Sequence, residues 1–513
     1  MANIQLLDCT LRDGGYYTNW DFDSEIVEAY IKSTNVLPID YIEIGYRNNP
    51  SKEYLGKYGY CPVFEVENIR KNSVKKLSVM INEKSTKPED IDRLLLPIQN
   101  MVDLIRIAVD PQNLKRSILL AIKIKELGFK VGFNVMYMSK WLSIHEDFFA
   151  TLSEVNDIID LFFMVDSYGS VSPNEIKMIL NRVQTEISCP IGFHGHNNLE
   201  LGLINALTAV ENGATFIDAT VLGMGRGAGN LKLELLLTYL NKHQNLNLDF
   251  NILGELVDAF TPLFKKYNWG TNLPYMLSGI NSLPQKDVMD WVNNRIYSFN
   301  SIVRALENKK SNLDDNARFP IYESTACNSV LIVGGGESAA KHIKGIEVFL
   351  EKQKSISIIH ATSRHAEHYE HLPHPQYYAL VGSEGKRLAR TMKNKKFEGT
   401  CILPPYPRKM GTEVPSFAMG KTYEVESIQF AQQCADSCTT LALQISLAMN
   451  ANEIFFVGYD GYPGGGLSEK ERDLSNENVE IFKDFCRKTG KKLISLTPTL
   501  YKELETKSLY QYI

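Results

Sequence analysis

Ile191-Gly192-Phe193-His194-Gly195-His196-Asn197-Asn198 is a short apolar run that closes on two histidines two residues apart. A helical pattern over 199–212 follows, then a second apolar run over 216–221. Strand, helix and strand in this order read as one βαβ unit. Working outward, the same alternation reaches back to the N-terminus. Strands are expected at 4–8, 41–45, 77–81, 104–108, 131–136, 161–165, 191–194 and 216–221, with helices such as 88–96, 114–127 and 173–187 between them. Eight such units match an α/β fold of the TIM (β/α)8 barrel type in number and length. An open doubly wound sheet would give the same alternation, but eight strands is wide for one.

The chain has 513 residues, too many for one ordinary domain. Its 44% hydrophobic and 22% charged residues are those of a globular protein, and a net charge of −5 leaves no basic footprint for nucleic acid. No apolar run is long enough to span a membrane, and the first residues carry no leader pattern. Eight cysteines without disulfide spacing suit a reducing, cytoplasmic location.

His194 and His196, two apart on a strand, point to one face, here the mouth of the barrel. Asp13, in Leu11-Arg12-Asp13-Gly14-Gly15 just past the first strand, opens onto the same mouth. Two imidazoles and a carboxylate make a three-ligand site for a divalent metal with positions left for substrate. Arg12 puts a fixed positive charge where an enolate oxygen would develop. Taken alone, a histidine pair of this spacing is more often an ordinary polar pair, and an Arg-Asp-Gly segment a plain loop.

The ordered set of motifs decides between these readings. Asp8-Cys9-Thr10-Leu11-Arg12-Asp13-Gly14 resembles the D-x-T-L-R-D-G opening of the metal-dependent pyruvate aldolase and acyltransferase superfamily. That superfamily includes hydroxyoxovalerate aldolases, hydroxymethylglutaryl-CoA lyases and isopropylmalate synthases. Ile42-Glu43-Ile44-Gly45, Asp166-Ser167-Tyr168-Gly169, His194-Gly195-His196-Asn197-Asn198 and Gly223-Met224-Gly225-Arg226-Gly227-Ala228-Gly229-Asn230 resemble its later motifs, in order. The resemblance implies Asp13, His194 and His196 as metal ligands, with Asn230 ordering the metal site and Arg12 stabilising the enolate. The implied metal is Mn²⁺ or Mg²⁺, or in some members Zn²⁺. The implied chemistry makes or breaks a C–C bond beside a carbonyl.

Two positions depart from the pattern. Tyr16 stands three residues after Asp13, where the aldolases carry an acid/base histidine and the synthases a glutamine. It is read either as that acid/base or as a residue that shapes the pocket. Arg226 stands in a glycine loop where the lyases carry a cysteine, which argues against hydroxymethylglutaryl-CoA cleavage; it is read as a carboxylate or phosphate ligand or as a solvated rim residue. Glu43, Asn134, Tyr137, Asp166 and Ser167, at or near strand ends, are candidates for substrate binding, and Tyr275 for reaching the site from outside the barrel.

Residues 246–308 read as a helical appendage and 309–326 as a linker. Residues 327–513 read as a smaller open α/β domain of Rossmann-like type, with strands near 330–333, 357–360, 379–381, 401–403, 454–457 and 493–496 and long helices at 425–449 and 468–488. Gly334-Gly335-Gly336 follows the first of these strands as a G-x-G-x-x-A turn, suited to a nucleotide or phosphate at a helix N-terminus or simply to tight packing. The acidic ribose partner of dinucleotide sites is missing.

The expected activity is that of a divalent-metal aldolase or lyase acting on a 2-oxo acid, with pyruvate as enolate partner and an aldehyde as the other. Its rivals are a Claisen-type synthase using an acyl-CoA, and a non-catalytic barrel carrying a nucleotide- or glycan-binding domain. Self-association into a homo-oligomer is expected; nucleic-acid and membrane partners are not.

Overall fold

The computed structural model of the chain describes residues 4–52, 54–143, 146–293, 299–312, 318–353, 355–393, 396–408, 412–462 and 469–513. The chain divides into two compact units, Met1–Asp290 and Trp291–Ile513.

In the first unit eight parallel strands close into a barrel in sequence order. They are β1 (Gln5–Asp8), β2 (Tyr41–Tyr46), β3 (Lys76–Asn82), β4 (Leu104–Val109), β5 (Lys130–Val135), β6 (Leu161–Asp166), β7 (Ile191–Gly195) and β8 (Phe216–Ala219). β1 pairs with both β2 and β8, which completes the ring. Alternate residues of each strand face the axis. Leu7, Cys9, Tyr41, Leu104, Leu161, Phe163 and Phe216 form a single apolar cluster. A Cβ at Gly192 would come within 2.3 Å of the Phe163 ring, so β7 must be bare there for the ring to fit. Glu43, Arg106, Asp218 and His194 are buried on the same strands. Each apolar side chain buried contributes roughly 1.5–3 kcal/mol, which offsets the cost of holding this charged layer away from water.

The helices between strands follow from local sequence. Ser172 opens the helix Pro173–Glu186 with a capping box: Glu175 N donates to its Oγ, and its own N donates to the Glu175 carboxylate. Ile176, Ile179, Leu180 and Val183 then bury one stripe of that helix. Beyond the barrel run Phe250–Tyr267, Leu273–Ile280 and Gln285–Asn293. Of the expected appendage, Gln285–Asn293 and Phe299–Lys310 are helices, the second of them within the second unit. Residues 294–298 between them, and 313–317 of the expected linker, lie outside the described residues.

The second unit is built on an eight-stranded parallel sheet: β9 (Ser329–Val333), β10 (Ile356–His360), β11 (Gln376–Ala379), β12 (Thr400–Leu403), β13 (Thr422–Glu424), β14 (Glu453–Val457), β15 (Leu493–Ser495) and β16 (Glu505–Thr506). Their order is β13-β12-β11-β10-β9-β14-β15-β16, so winding reverses between β9 and β14. Six strands are expected from sequence; the additional pair, β13 and β16, are edges of three and two residues, too short to show a pattern. β11 lies three residues earlier than expected. The long helix expected over 425–449 is only Cys438–Ala448. Ahead of it the amides of Gln429 and Ala431 donate to the side chains of Gln444 (3.0 Å) and Asp484 (2.7 Å), and Ala431 sits at φ +42°, so the backbone is satisfied without a helix. Among the described residues no helix is long and apolar enough to cross a membrane.

Candidate active site

The Arg-Asp-Gly segment is a helix, Thr10–Thr18, that starts two residues past β1. Asp8 sets its start by accepting from Thr10 N (2.9 Å) and Thr10 Oγ1 (3.0 Å), and Tyr30 donates to the same carboxylate (2.5 Å). Its glycines are packing requirements: a Cβ at Gly14 would lie 2.6 Å from Met224 Sδ, and one at Gly15 2.1 Å from the Trp20 ring. This packing fixes the first turn, which carries Arg12 and Asp13 into the barrel mouth.

Asp13 is buried and meets four groups. Arg12 is ion-paired to it, His194 Nε2 lies 3.5 Å from its Oδ2, Asn230 Nδ2 donates to that oxygen at 2.6 Å, and Cys9 Sγ lies 3.7 Å away. Burial alone would raise its pKa, but Arg12, the two histidines and the Asn230 amide outweigh burial and hold it below the usual carboxylate range. Burial first, then the charges of His194, Arg226 and Arg12, push the His196 pKa down to about 3 against the opposing pull of Asp13, so this imidazole is neutral. The His194 and His196 rings lie 5.3 Å apart. His196 Nδ1 and Asn230 Oδ1 are buried without hydrogen-bond partners. A carboxylate, two imidazoles and buried nitrogen and oxygen atoms that the protein leaves unpartnered are a donor set that fits a divalent cation of oxygen and nitrogen preference.

Among the described residues the one group of three such side chains whose ligand atoms all lie within 4.8 Å of one another is a neighbouring trio, Cys9, His194 and Asp218; the expected set of Asp13, His194 and His196 is more loosely gathered. The trio is the poorer donor set. Burial pushes the Cys9 thiol well up, and only the thiolate is a good ligand. Asp218 Oδ2 is already shared by His194 Nδ1 (2.8 Å) and Arg106 (2.5 Å). Holding Nδ1 in this way turns Nε2 of His194 towards Asp13.

The other expected site residues divide by partner. Glu43 accepts from Arg12 Nε (2.8 Å), Arg106 (3.3 Å) and Ser78 Oγ (3.3 Å), which fixes the guanidinium of Arg12 from behind. Asn134 Oδ1 accepts from Arg106 Nε (2.6 Å). Asp166 accepts from the amides of Ser170 (3.3 Å) and Val171 (3.1 Å), and Ser167 Oγ from the amide of Tyr137 (2.9 Å). Those contacts order the strand ends. Tyr16, 36% exposed, sets its hydroxyl 3.3 Å from that of Tyr46 and its ring 5.0 Å from Trp20. The Arg226 guanidinium lies over the Tyr16 ring at 5.5 Å. Tyr275 is buried in Leu273–Ile280, where its carbonyl accepts from Asn198 Nδ2 (2.8 Å).

Sequence reasoning missed Arg106, fully buried on β4, Asp218 on β8 and Tyr46 on β2. The signal was a lone charge inside an apolar strand, in Leu104-Ile105-Arg106-Ile107 and Phe216-Ile217-Asp218-Ala219. Such a charge on the inward parity of a barrel strand must meet its counter-charge across the axis.

In the second unit the Gly334-Gly335-Gly336 turn follows β9 at the reversal of winding. Ser338 N donates to Asp460 Oδ2 (3.0 Å), and Ser338 Oγ bonds both that carboxylate and Thr497 Oγ1. A Cβ at Gly336 would lie 2.6 Å from the Asp460 carboxyl carbon. The position expected for a phosphate at this turn is filled by the chain's own carboxylate, and the glycines are required by close packing. His365 and His368 lie in a 3-10 turn, Ser363–His368, and His371 beyond it pairs with Glu347 at 3.0 Å.

A family model described as HMGL-like matches residues 3–258. A 4-hydroxy-2-oxovalerate aldolase of Carboxydothermus hydrogenoformans is 30% identical over 47% of this chain and 71% of its own length. An oxaloacetate decarboxylase of Mycobacterium tuberculosis is 26% identical over 47% of this chain and 71% of its own. The crystal structure of the N-terminal domain of a candidate aldolase from Bacteroides vulgatus is 62% identical, with a TM-score of 0.56, and aligns over 59% of this chain and all of that one.

Proposed function

Because the chain belongs through its barrel to the HMGL-like family, we propose that it is a divalent-metal-dependent aldolase that makes or breaks a C–C bond beside the carbonyl of a 2-oxo acid, with pyruvate as the enolate partner. The observation that supports this reading is the meeting of His194 Nε2 and Asn230 Nδ2 at one oxygen of the buried Asp13, with the His196 ring 5.3 Å from that of His194 and Arg12 ion-paired beside them. The names of the aldolase and decarboxylase relatives both denote breaking a C–C bond of a 2-oxo acid, which is the common ground of the proposal.

A divalent cation, Mn²⁺, Mg²⁺ or Zn²⁺, supplies Lewis acidity at the oxo-acid carbonyl when bound. Asp13, His194, His196 and Asn230 would hold it. Arg12 stays charged beside its two carboxylates and offers its guanidinium to the enolate oxygen. Glu43 and Asp13 keep that guanidinium in place before substrate arrives, so little reorganisation is needed. Tyr16 carries the proton to and from the hydroxyl that forms or disappears at the acceptor carbon. Burial first, then the Tyr16 hydroxyl, pushes the Tyr46 phenol up, so Tyr46 stays protonated and can donate to the Tyr16 oxygen. Eight free cysteines suit a reducing compartment, and we place the enzyme in the cytoplasm.

The test is solvent exchange. Protein loaded with Mn²⁺ or Mg²⁺ should exchange the methyl protons of pyruvate in D₂O, followed by NMR, and Asp13→Ala should abolish the exchange. A wild-type protein that binds metal yet leaves the methyl signal intact would overturn the pyruvate reading.

A further inference from the structure

Arg226 is the one expected site residue without a protein counter-charge at the barrel mouth. It lies in the loop 223–230 that ends on Asn230, and its Nε is buried without a hydrogen-bond partner. Among the described residues no carboxylate forms an ion pair with it; the Tyr16 ring lies 5.5 Å from the guanidinium. A Cβ at its neighbour Gly225 would lie 2.5 Å from Asn230 Nδ2, so the loop that carries it packs against a proposed metal-site residue. Arg12 and Arg106, by contrast, are each matched by two carboxylates. Tyr16, Trp20 and Tyr46 stand edge to face at 5.0 and 5.7 Å and make a low-dielectric wall on the same side. A part-buried guanidinium that the protein leaves unneutralised, beside such a wall, strengthens any attraction to an anion that enters.

We infer that the aldehyde partner carries an anionic group, a carboxylate or a phosphate, which Arg226 grips while the aldehyde carbon faces the pyruvate methyl. The inference rests on the aldolase reading and names its substrate class. In the condensation a methyl C–H of pyruvate breaks and its carbon bonds to the aldehyde carbon. The carbonyl π pair takes up a proton to become a hydroxyl, and no oxidant or reductant is consumed. An arginine fork matches either anion in two-point contact, so the two are separated by experiment.

The whole, metal-loaded protein is assayed at saturating pyruvate with 4-oxobutanoate and glyceraldehyde 3-phosphate, and with their neutral counterparts butanal and glyceraldehyde. A charge-assisted pair of this kind predicts a preference in kcat/KM of roughly 10- to 100-fold for one anionic aldehyde over its neutral counterpart. Whichever anion shows it identifies the group. Arg226→Gln should bring that ratio close to one, chiefly through KM, and Arg226→Lys should keep part of it. A wild-type protein that condenses charged and neutral aldehydes equally, or a preference that survives in Arg226→Gln, overturns the inference while leaving the aldolase standing. Failure of the wild-type protein to exchange pyruvate protons overturns the aldolase reading itself, and the acceptor assignment with it.

Discussion

Asp13 and Asp218 face the same imidazole from opposite sides, and their unlike surroundings predict unlike mutants. Asp13 meets Nε2 of His194 and the Asn230 amide, in the space fitted for a cation, so Asp13→Ala should abolish Mn²⁺ binding measured by calorimetry. Asp218 meets Nδ1 and only orients the ring, so Asp218→Asn should weaken the same binding by about 10- to 100-fold without abolishing it. If the metal instead used the Cys9, His194 and Asp218 trio, Cys9→Ser would weaken binding as severely as Asp218→Asn, and Asp13→Ala would be tolerated. A second prediction at this scale concerns Asp8. Burial, outweighing the bonds from Tyr30 and Thr10, raises its pKa from 3.8 to about 6. A carboxyl that holds its proton more tightly when folded favours the fold fully below pH 4, and that contribution is lost as pH rises through 6. Between pH 4 and 6 the wild-type protein should therefore lose stability relative to Asp8→Asn, by on the order of 3 kcal/mol, read from their urea midpoints. An unchanged pH slope in the mutant would refute the assignment. Asp13, His194 and His196 could be singled out as candidates because they stand in short motifs at the barrel mouth, Asp13 in the helix after β1 and the histidines at and just past the end of β7. Asp218 and Arg106 could not, because one charge in a four- to six-residue strand acquires meaning only when the ring closes and brings β2, β4 and β8 to one axis.

At the scale of elements, β4 carries the charge that ties the barrel's interior together. Arg106 reaches Glu43 on β2 (3.3 Å), Asn134 on β5 (2.6 Å) and Asp218 on β8 (2.5 Å), and its guanidinium stacks on the Phe163 ring of β6 at 4.1 Å. Arg106→Met keeps much of the volume but leaves two carboxylates buried without their shared cation. It should lower the unfolding free energy by about 3–5 kcal/mol, read from urea denaturation. A loss under about 1 kcal/mol, the range of exposed ion pairs, would mean that water reaches this layer. Barrel strands and capped helices could be read from sequence because their patterns are local. The helix expected over 425–449 fell short for the opposite reason: Gln444 and Asp484 satisfy the amides ahead of Cys438 from a distance, and no local pattern records such partners. The Arg-Asp-Gly segment, open to reading as a plain loop, is a helix whose first amide is taken up by Asp8 and whose glycines fit against Met224 and Trp20.

For the whole molecule the question is whether the barrel's chemistry needs the second unit. Every residue assigned a part in the reaction, from Arg12 to Asn230, lies within Met1–Asp290, and the polar network that supports it closes on itself there. The Bacteroides vulgatus relative, 62% identical, was crystallised as its N-terminal domain alone, so a barrel of this kind forms without a second unit attached. A fragment comprising residues 1–290 should therefore unfold cooperatively, bind Mn²⁺ and exchange pyruvate methyl protons at the rate of the whole chain. The second unit has its own sheet and its own core, centred on residues such as Phe430, Phe456 and Phe482, and Asp460 seals the turn where a phosphate would otherwise enter. Adding that unit in trans should leave the exchange rate of the fragment unchanged. A fragment that folds and binds metal but exchanges pyruvate more slowly than the whole chain would show that residues after Asp290 complete the active site, and would move the search for the acceptor's binding determinants into that part of the molecule.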